Sequence, residues 1–434
     1  DMLRIGTCKV NITPYIGCPL GGFAARKDAS QGIHDELYAR ILVIEQQEPA
    51  AIVAADLLCL PAEAVRQVRK LAAHKIGMRA ERIAIAATHT HSGPELRPNQ
   101  KEVASAAYMQ NLIDDLAGGI YAAWRVREPA RIGVGCGTIH GIGVNRRYPD
   151  GLPVDPQVGV LRFDFASGRP GGVLINYTCH PVVLGPDNLL ITADYPGYAT
   201  RLIERIKGDG FLSMFTNGAT GDINTGHSAD LSALGYPIPG RTFERAEKLG
   251  NMLTGEVLKT LETIALQSEC VVAATSKSVA LQLKPLPPLE EVQHDLAAKQ
   301  AALQQAIAEG AAEEQLLNAK VNKFYAELLL ENVRQQAKTP QQETLEIELQ
   351  GIRIGNCALL AFPGELFVEI GLAIKQNSPF AQTCILGYAN GYIGYLPTAQ
   401  TFEEGGYEAV SSRFTPECAQ IVAREAVEVL RSLE

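Results

Sequence analysis

Short runs rich in Val and Ile alternate with helix-like stretches along most of this chain. The apolar runs predict strands at 39–44, 50–55, 82–87, 158–165, 172–178 and 211–216. Apolar residues at helical spacing predict helices at 61–76, 104–124, 195–207 and 241–263. Strands interleaved with helices are typical of an α/β fold. We therefore expect a large mixed β-sheet, or two sheets, flanked by helices.

The length of 434 residues exceeds the roughly 250 to 300 residues at which one hydrophobic core usually stops growing. A large domain with insertions and two closely joined lobes both fit, and we interpret 1–434 as a single domain. From Pro288 to Lys338 the sequence becomes rich in Ala, Gln, Glu and Leu, which predicts an inserted helical hairpin over 288–338. Two interpretations of this hairpin remain: a solvated excursion packed on the domain, or a lid or dimerisation arm. The sequence is therefore compatible with a homo-oligomer.

Charge and cysteine usage narrow the class of partner. The formal net charge is -9 and the basic residues are scattered, which argues against a nucleic-acid surface and favours a small-molecule substrate. The nine cysteines contain no CxxC pair, which is typical of small core residues in a reducing compartment. No apolar run approaches about 18 residues, so we expect no membrane insertion. A cytoplasmic protein is the default, unless a leader was removed.

Two histidines stand two positions apart in "AATHTHSGPE", directly after the predicted strand 82–87. At a strand end His89 and His91 project to the same side, where open α/β sheets place their sites. His180 also closes a strand-like run, and Glu365 follows an apolar strand and a Pro-Gly turn. Imidazoles with a carboxylate make a hydrolytic zinc set that leaves a position open for water. Hydrogen-bonded structural histidines are the alternative; His74, His140, His227 and His294 show no partner pattern.

Eight sequence blocks in order carry a family resemblance. They are "KVNITP" (9–14), "GIHDELYAR" (32–40), "ATHTHSGP" (87–94), "CHPVVLGPDN" (179–188), "ADYPGYA" (193–199), "GATGDIN" (218–224), "FPGELF" (362–367) and "GYLPT" (394–398). Together they resemble the neutral/alkaline ceramidase family, from residue 5 to about residue 412. The resemblance implies that 1–434 is a ceramidase-like catalytic domain.

The resemblance also implies a catalytic site with one zinc ion per chain. Its four ligands would be His89, His180, Glu365 and Tyr395. A zinc ion would stabilise the tyrosine as a phenolate, whose pKa is ordinarily about 10. His91 and Tyr407 would be the catalytic residues, moving protons and stabilising the oxyanion.

Two departures from the family pattern bear on the substrate. Ceramidases carry a serine four residues before the Asp of the "GD" block, where this chain has Gly218 before Asp222. Full-length ceramidases add a C-terminal β-sandwich domain, which we do not expect here. Ceramide is therefore a poor first expectation as the substrate.

Several polar residues near these blocks have two interpretations each. Asp56, Asp194 and Asp222 are candidates to orient ligand histidines from behind, and Asp56 is also a candidate ligand to a second metal. Asp56 and Asp194 equally fit helix caps. His34 fits either the pocket or a turn. Arg26, Arg146 and Arg147 offer guanidiniums for a substrate carboxylate, or else form salt links. With Gly218, Arg26, His34 and Arg146 form the candidate substrate-binding set.

These observations predict a zinc-dependent hydrolase that cleaves the C–N bond of a small amide with metal-activated water. An esterase or lactonase is the first alternative, since activated water attacks either carbonyl. The second alternative is a non-catalytic binding protein on a ceramidase-like fold, motivated by the missing serine.

Overall fold

The computed structural model describes residues 2–338 and 342–434. Within these residues the strands are β1 Arg4–Asn11, β2 Gly32–Ile33, β3 Tyr38–Glu45, β4 Pro49–Ala55, β5 Ile83–Ala87, β6 Glu128–Thr138, β7 Val144–Asn145, β8 Gln157–Phe165, β9 Gly172–Tyr177, β10 Leu190–Ile191, β11 Leu212–Asn217, β12 Ile223–Asn224, β13 Val272–Gln282, β14 Thr344–Ile354, β15 Cys357–Ala361, β16 Glu365–Leu366, β17 Gln382–Leu386 and β18 Tyr395–Leu396. The helices are α1 Ala62–Ile76, α2 Ala106–Arg125, α3 Asp194–Lys207, α4 Ala229–Ala233, α5 Phe243–Leu261, α6 Leu289–Ala308, α7 Glu313–Ala337, α8 Val368–Asn377, α9 Ala399–Glu404, α10 Tyr407–Ser411 and α11 Cys418–Arg431.

Two sheets form the centre of the molecule. The larger has eight strands in the order β11-β9-β8-β6-β1-β3-β4-β5, and the smaller has the order β13-β14-β15-β17. Both are mixed: β4 with β5, β9 with β11 and β15 with β17 are parallel, while the other pairs are antiparallel. This confirms the predicted α/β fold and the option of two sheets.

The layers follow from the alternation of apolar side chains along the strands. In β3, Ile41 and Val43 pack against α1 and α2, whereas Leu42 and Ile44 face the second sheet. Helices α3 and α5 cover the other half of the larger sheet, and α8 and α11 cover the smaller one. The result is a four-layer arrangement of helices, sheet, sheet and helices.

Strand ends from both sheets meet at one place. The amide of Ala87, at the end of β5, donates to the Tyr388 carbonyl at 3.1 Å, and the amide of Gly387 donates to the Asn217 carbonyl at 2.9 Å. The Asn217 side chain also donates to the Thr88 carbonyl at 3.1 Å. The loops that follow β5, β11 and β17 are therefore tied together.

Two antiparallel helices, α6 and α7, occupy the segment in which the sequence predicts a hairpin. Their small apolar cluster contains Val292, Leu330 and Val333. Beyond it, α7 contacts the body through side chains: the Phe324 ring stacks on Tyr407 with centroids 6.3 Å apart, and Tyr325 Oη donates to Asp230. One face of this hairpin thus lies beside α10.

All nine cysteines are free. Among the described residues, helices long enough for a bilayer are too polar to cross one.

Candidate metal centre

His89 is held rigidly in one orientation at the end of β5. Its Nδ1 lies 2.6 Å from the Leu58 carbonyl, so Nδ1 carries the proton and donates. The imidazole stacks on the Tyr388 ring at 3.7 Å, with 10° between the planes. The unprotonated Nε2 therefore points away from the backbone, into the space between the strand ends.

His180 and Glu365 face His89 across that space. His180 Nδ1 lies 3.0 Å from the Ile223 carbonyl, which assigns the proton to this nitrogen. His180 Nε2 lies 3.0 Å from Glu365 Oε2, and His89 Nε2 lies 3.8 Å from the same oxygen. Two imidazole lone pairs and one carboxylate oxygen thus converge.

This donor set fits a metal cation. Neutral imidazoles and ionised carboxylates are the forms that coordinate metals. Burial lowers the pKa of His89 to about 3, so this imidazole is neutral. Burial alone would raise the pKa of Glu365, but its surroundings outweigh burial and lower the pKa to about 2, so this carboxylate is ionised. Converging lone pairs in a buried site repel one another unless a cation lies between them.

His91 lies on the open side of the cluster. Its Nε2 is 3.1 Å from His89 Nε2, and His89, His91 and His180 each offer a nitrogen within 4.8 Å of the others. Its Nδ1 is buried without a partner among the described residues. Gly22 makes this packing possible, because a Cβ on Gly22 would fall 2.4 Å from His91 Cγ. Burial lowers the pKa of His91 well below its usual value, so its imidazole is neutral.

Tyr395 lies next to Glu365, since the parallel strands β16 and β18 pair these two residues directly. Arg146 Nη2 donates to Tyr395 Oη at 3.2 Å. Burial raises the pKa of Tyr395 well above its usual value and Glu365 adds to that rise, while Arg146 opposes it. A cation between Tyr395 and Glu365 would act in the same direction as Arg146 and favour the phenolate.

Tyr407 and Glu408 complete this side of the site. The Tyr407 ring packs edge-on against the Tyr395 ring, with centroids 5.7 Å apart. Glu408 accepts from Arg146 Nε at 2.8 Å and from Arg147 Nη1 at 2.7 Å. Both arginines are therefore bound to a carboxylate of the chain, and the guanidinium of Arg146 fixes Tyr395 rather than standing free for a substrate.

Two tyrosines of the site were missed by the sequence reasoning. Tyr388 stacks on His89, and Tyr392 Oη donates to Glu365 Oε1. Both belong to the Gly- and Tyr-rich stretch 386–398. The clustering of tyrosines in that stretch is the sequence signal that could have identified them. Their contacts fix the orientation of one proposed ligand each.

Backbone strain marks the same region. Among the described residues, the non-glycine positions with positive φ are His89 (70°), Asp194 (57°), Tyr388 (56°) and Asn390 (64°). Such conformations cost about 1 to 3 kcal/mol each and persist where the surrounding structure imposes them. His89 and Tyr388, whose ring stacks on it, are thus both held in strained backbone conformations.

Asp194 and Asp222 support the site through backbone groups. Asp194 accepts from the amides of Val183 and Leu184, which follow His180, and burial raises its pKa to about 6. Asp222 accepts from Asn145 Nδ2 at 2.7 Å and from Val368 N at 2.9 Å, and burial raises its pKa to about 7. These carboxylates order the loops that carry His180, Arg146 and Glu365.

Asp56 and His34 lie elsewhere. Asp56 forms a buried ion pair with Arg40 at 3.0 Å and accepts from Tyr38 N, so it neither orients a ligand histidine nor caps α1, which begins after Pro61. His34 bonds to Asp35 and stacks on Phe243 at 3.8 Å, on the α5 side of the molecule. The contacts of Asp56 with Arg40 and of His34 with Phe243 join residues far apart in sequence. The local sequence pattern around Asp56 and His34 does not show them.

Gly218 and Arg26 border the cluster. A Cβ on Gly218 would lie 2.2 Å from Thr178 Oγ1, so the Thr178 hydroxyl fills the space that a side chain at this position would need. Arg26 Nη1 donates to the His91 carbonyl at 2.7 Å and to the Gly21 carbonyl at 3.0 Å. Arg26 therefore holds the loop that carries His91.

The layered sheets and the histidine–glutamate cluster define an α/β protein with a candidate metal centre at its strand ends. A sequence profile of the neutral/alkaline non-lysosomal ceramidase family, N-terminal part, matches residues 3–230. The chain belongs to this family, which confirms the resemblance seen in the sequence. Membership indicates a hydrolase.

Individual relatives agree with this assignment. The chain is 24% identical to neutral ceramidase of Pseudomonas aeruginosa, over 95% of this chain and 69% of the relative. It is 22% identical to neutral ceramidase of Drosophila melanogaster, over 95% of this chain and 72% of the relative. The crystal structure of the Pseudomonas aeruginosa enzyme has the same fold, with a TM-score of 0.73 and 22% identity over 100% of this chain and 75% of that one.

Proposed function

We propose that this protein is a zinc-dependent hydrolase that cleaves the C–N bond of a small amide. The zinc ion would be held by His89, His180, Glu365 and Tyr395. The observation that carries the proposal is the 3.0 Å approach of His180 Nε2 to Glu365 Oε2, with His180 Nδ1 already bound to a backbone carbonyl. A cation between these two buried groups would stabilise both, and two histidines with a glutamate are a ligand set typical of hydrolytic zinc.

A zinc ion in this place would supply Lewis-acid polarisation of a carbonyl and activate water for attack. Neutral His91 is positioned to take a proton from water as the water oxygen bonds to the acyl carbon. When the C–N bond breaks, His91 passes that proton to the leaving nitrogen. Tyr407 donates to the developing oxyanion. Arg146, fixed by Glu408, keeps Tyr395 in place.

The expectation of a small amide rests on Gly218. Because Thr178 fills the space beside Gly218, the serine hydroxyl that ceramidases carry at the corresponding position has no counterpart on residue 218. An ester or lactone presents a similar carbonyl, so a matched ester must be measured beside each amide.

Metal content and turnover test the proposal together. Elemental analysis of the wild type should give about one zinc per chain, and His180→Ala should lose it. His74→Ala, an exposed position on α1, is the matched control and should retain it. Amide hydrolysis that disappears with the metal supports the proposal. A folded wild type that binds no zinc would favour the non-catalytic alternative, and a preference for the ester beyond its intrinsic reactivity would favour an esterase.

A further inference from the structure

Three arginines near His91 or His227 differ from the paired arginines of the site. Arg26, Arg241 and Arg245 donate to backbone carbonyls and one hydroxyl, and they form no ion pair with a carboxylate in the described part of the chain. Arg146 and Arg147, by contrast, share Glu408. Buried cations are normally paired. An unpaired group of cations beside a reaction centre is therefore a candidate anion site.

Buried polar side-chain atoms without a partner are concentrated in the same place. Of the twelve buried side-chain atoms without a partner in the described residues, six lie here. They are Arg26 Nε, His91 Nδ1, Thr225 Oγ1, His227 Nδ1, Arg241 Nε and Arg241 Nη1. His227 is only 8% exposed. Buried polar groups in native proteins are nearly always hydrogen-bonded, so such a concentration indicates a ligand that completes the bonds.

These groups adjoin the proposed metal ligands. The Phe23 ring lies 4.9 Å from the His91 ring, 4.9 Å from the Arg26 guanidinium and 5.3 Å from that of Arg241. His227 comes four residues after Ile223, the residue whose carbonyl accepts from His180. A cavity of about 320 Å³ opens against Arg241. Room for a small ligand thus lies against Arg241, whose guanidinium shares the Phe23 ring with Arg26 and His91.

Asp187 is near both Arg26 and Arg241, but neither arginine forms an ion pair among the described residues. Asp187 lines the same cavity but is exposed, and it forms no ion pair with Arg241 in the described residues. Burial lowers the pKa of Arg241 to about 10, and burial also lowers the pKa of Arg26 to about 10. For both guanidiniums, burial outweighs the opposing effect of Asp187 on the pKa.

We propose that Arg241, with His227 and Arg26, forms a carboxylate subsite beside the metal centre, so that the amide cleaved is one that bears an acidic group. This inference rests on the proposed amide hydrolysis and names its substrate class. A guanidinium binds a carboxylate through two parallel hydrogen bonds, which gives orientation as well as affinity. Hydrolysis adds water across the C–N bond, releases an acid and an amine, and leaves the bound carboxylate unchanged. N-acyl amino acids are the simplest members of the class.

Two substrate pairs test the subsite on the zinc-loaded protein. In the first, N-acetylglycine is compared with N-acetylethanolamine; in the second, succinamic acid is compared with 4-hydroxybutanamide. In each pair CO₂⁻ is replaced by CH₂OH, on the amine side or the acyl side. We expect wild type to favour the acid in at least one pair by about tenfold or more in kcat/KM. Arg241→Gln should lower that ratio about tenfold, and Arg241→Lys should lower it less.

His227→Asn is measured in parallel in case Arg241→Gln disturbs the fold, and it should lower the ratio several-fold. Arg66→Gln, at an exposed arginine on α1, is the matched control and should keep the ratio. Equal kcat/KM for acid and alcohol in both pairs would overturn the subsite while leaving amide hydrolysis standing.

If no amide is hydrolysed, a binding measurement still tests the carboxylate subsite separately from the proposed amide hydrolysis. Non-cleavable analogues with a methylene in place of the amide nitrogen are titrated calorimetrically into the same proteins. Tighter binding of the acidic analogue to wild type, lost in Arg241→Gln, would support the subsite even if no amide is hydrolysed. Equal binding of the acidic and hydroxymethyl analogues would overturn it.

Discussion

Glu365 and Tyr395 are direct partners in the two-stranded parallel sheet of β16 and β18. Thirty residues of sequence separate them, yet the pairing sets both side chains beside each other. Tyr392 fixes the Glu365 carboxylate, while Arg146 fixes the Tyr395 hydroxyl. A carboxylate and a phenol held side by side, each by its own donor, are pre-organised to bind the same cation.

Tyr395→Phe should weaken zinc binding at least about tenfold, because it removes one ligand oxygen and leaves the Arg146 guanidinium facing a ring edge. Competition with a fluorescent chelator measures the affinity. Tyr121→Phe, at an exposed tyrosine on α2, is the control. Unchanged affinity in Tyr395→Phe would remove the tyrosine from the ligand set.

His89→Ala and His91→Ala should separate metal binding from catalysis. His89 Nε2 faces Glu365, so His89→Ala should lose zinc. His91 has no described contact with Glu365, so His91→Ala should keep zinc and lose turnover by about 10²- to 10⁴-fold. Zinc content and kcat are measured on the same preparations. Equal zinc loss in both variants would make His91 a ligand.

The structure brings together three side chains that the sequence places after predicted strands. His89, His180 and Glu365 each follow a buried strand, and parallel strands from both sheets bring these ends together. The spacing of apolar residues within a strand or helix depends only on the neighbouring sequence. Strands such as β8 and helices such as α1 therefore lie within one or two residues of their predicted bounds.

Partners far away in sequence could not be read from the same patterns. Asp56 follows a strand just as His89 does, but its carboxylate forms an ion pair with Arg40 instead of facing the site. Tyr388 and Tyr392 acquire their roles only when β17 comes to lie beside β5 and β15. The arginines of the carboxylate subsite come from two distant segments, and His227 has no sequence pattern that sets it apart.

Gly218→Ser should destabilise the protein by about 1 to 3 kcal/mol, since the added Cβ would lie 2.2 Å from Thr178 Oγ1 in a buried site. The double variant Gly218→Ser/Thr178→Ala should recover most of the loss, because the clash is with the threonine hydroxyl. Denaturant midpoints of the single and double variants check this. A single variant as stable as wild type would show that Thr178 moves aside freely.

Lys284 should make stability depend on pH in the alkaline range. Burial lowers its pKa from 10.5 to about 8, so between these values the unfolded chain binds more protons than the folded one. The free energy of unfolding therefore rises as pH increases from about 8 to about 10.5. Lys284→Met should lack this rise, while Lys70→Met, at an exposed lysine on α1, should retain it. Melting temperatures at pH 7, 8 and 9 compare the three proteins; parallel curves for wild type and Lys284→Met would contradict the prediction.

Phe324→Ala should raise KM roughly 2- to 12-fold without changing zinc content. Its ring stacks on Tyr407, and such aromatic pairs contribute about 0.5 to 1.5 kcal/mol, so its loss frees both α7 and the tyrosine. Tyr325 to Asp230 and Lys320 to Tyr236 are polar contacts of the same helix with the body. Ile307→Ala, an exposed position on α6 of the same hairpin, is the control. A KM shift confined to Phe324→Ala would identify the hairpin as a lid, whereas unchanged kinetics with an altered oligomeric state in either variant would identify it as an association arm.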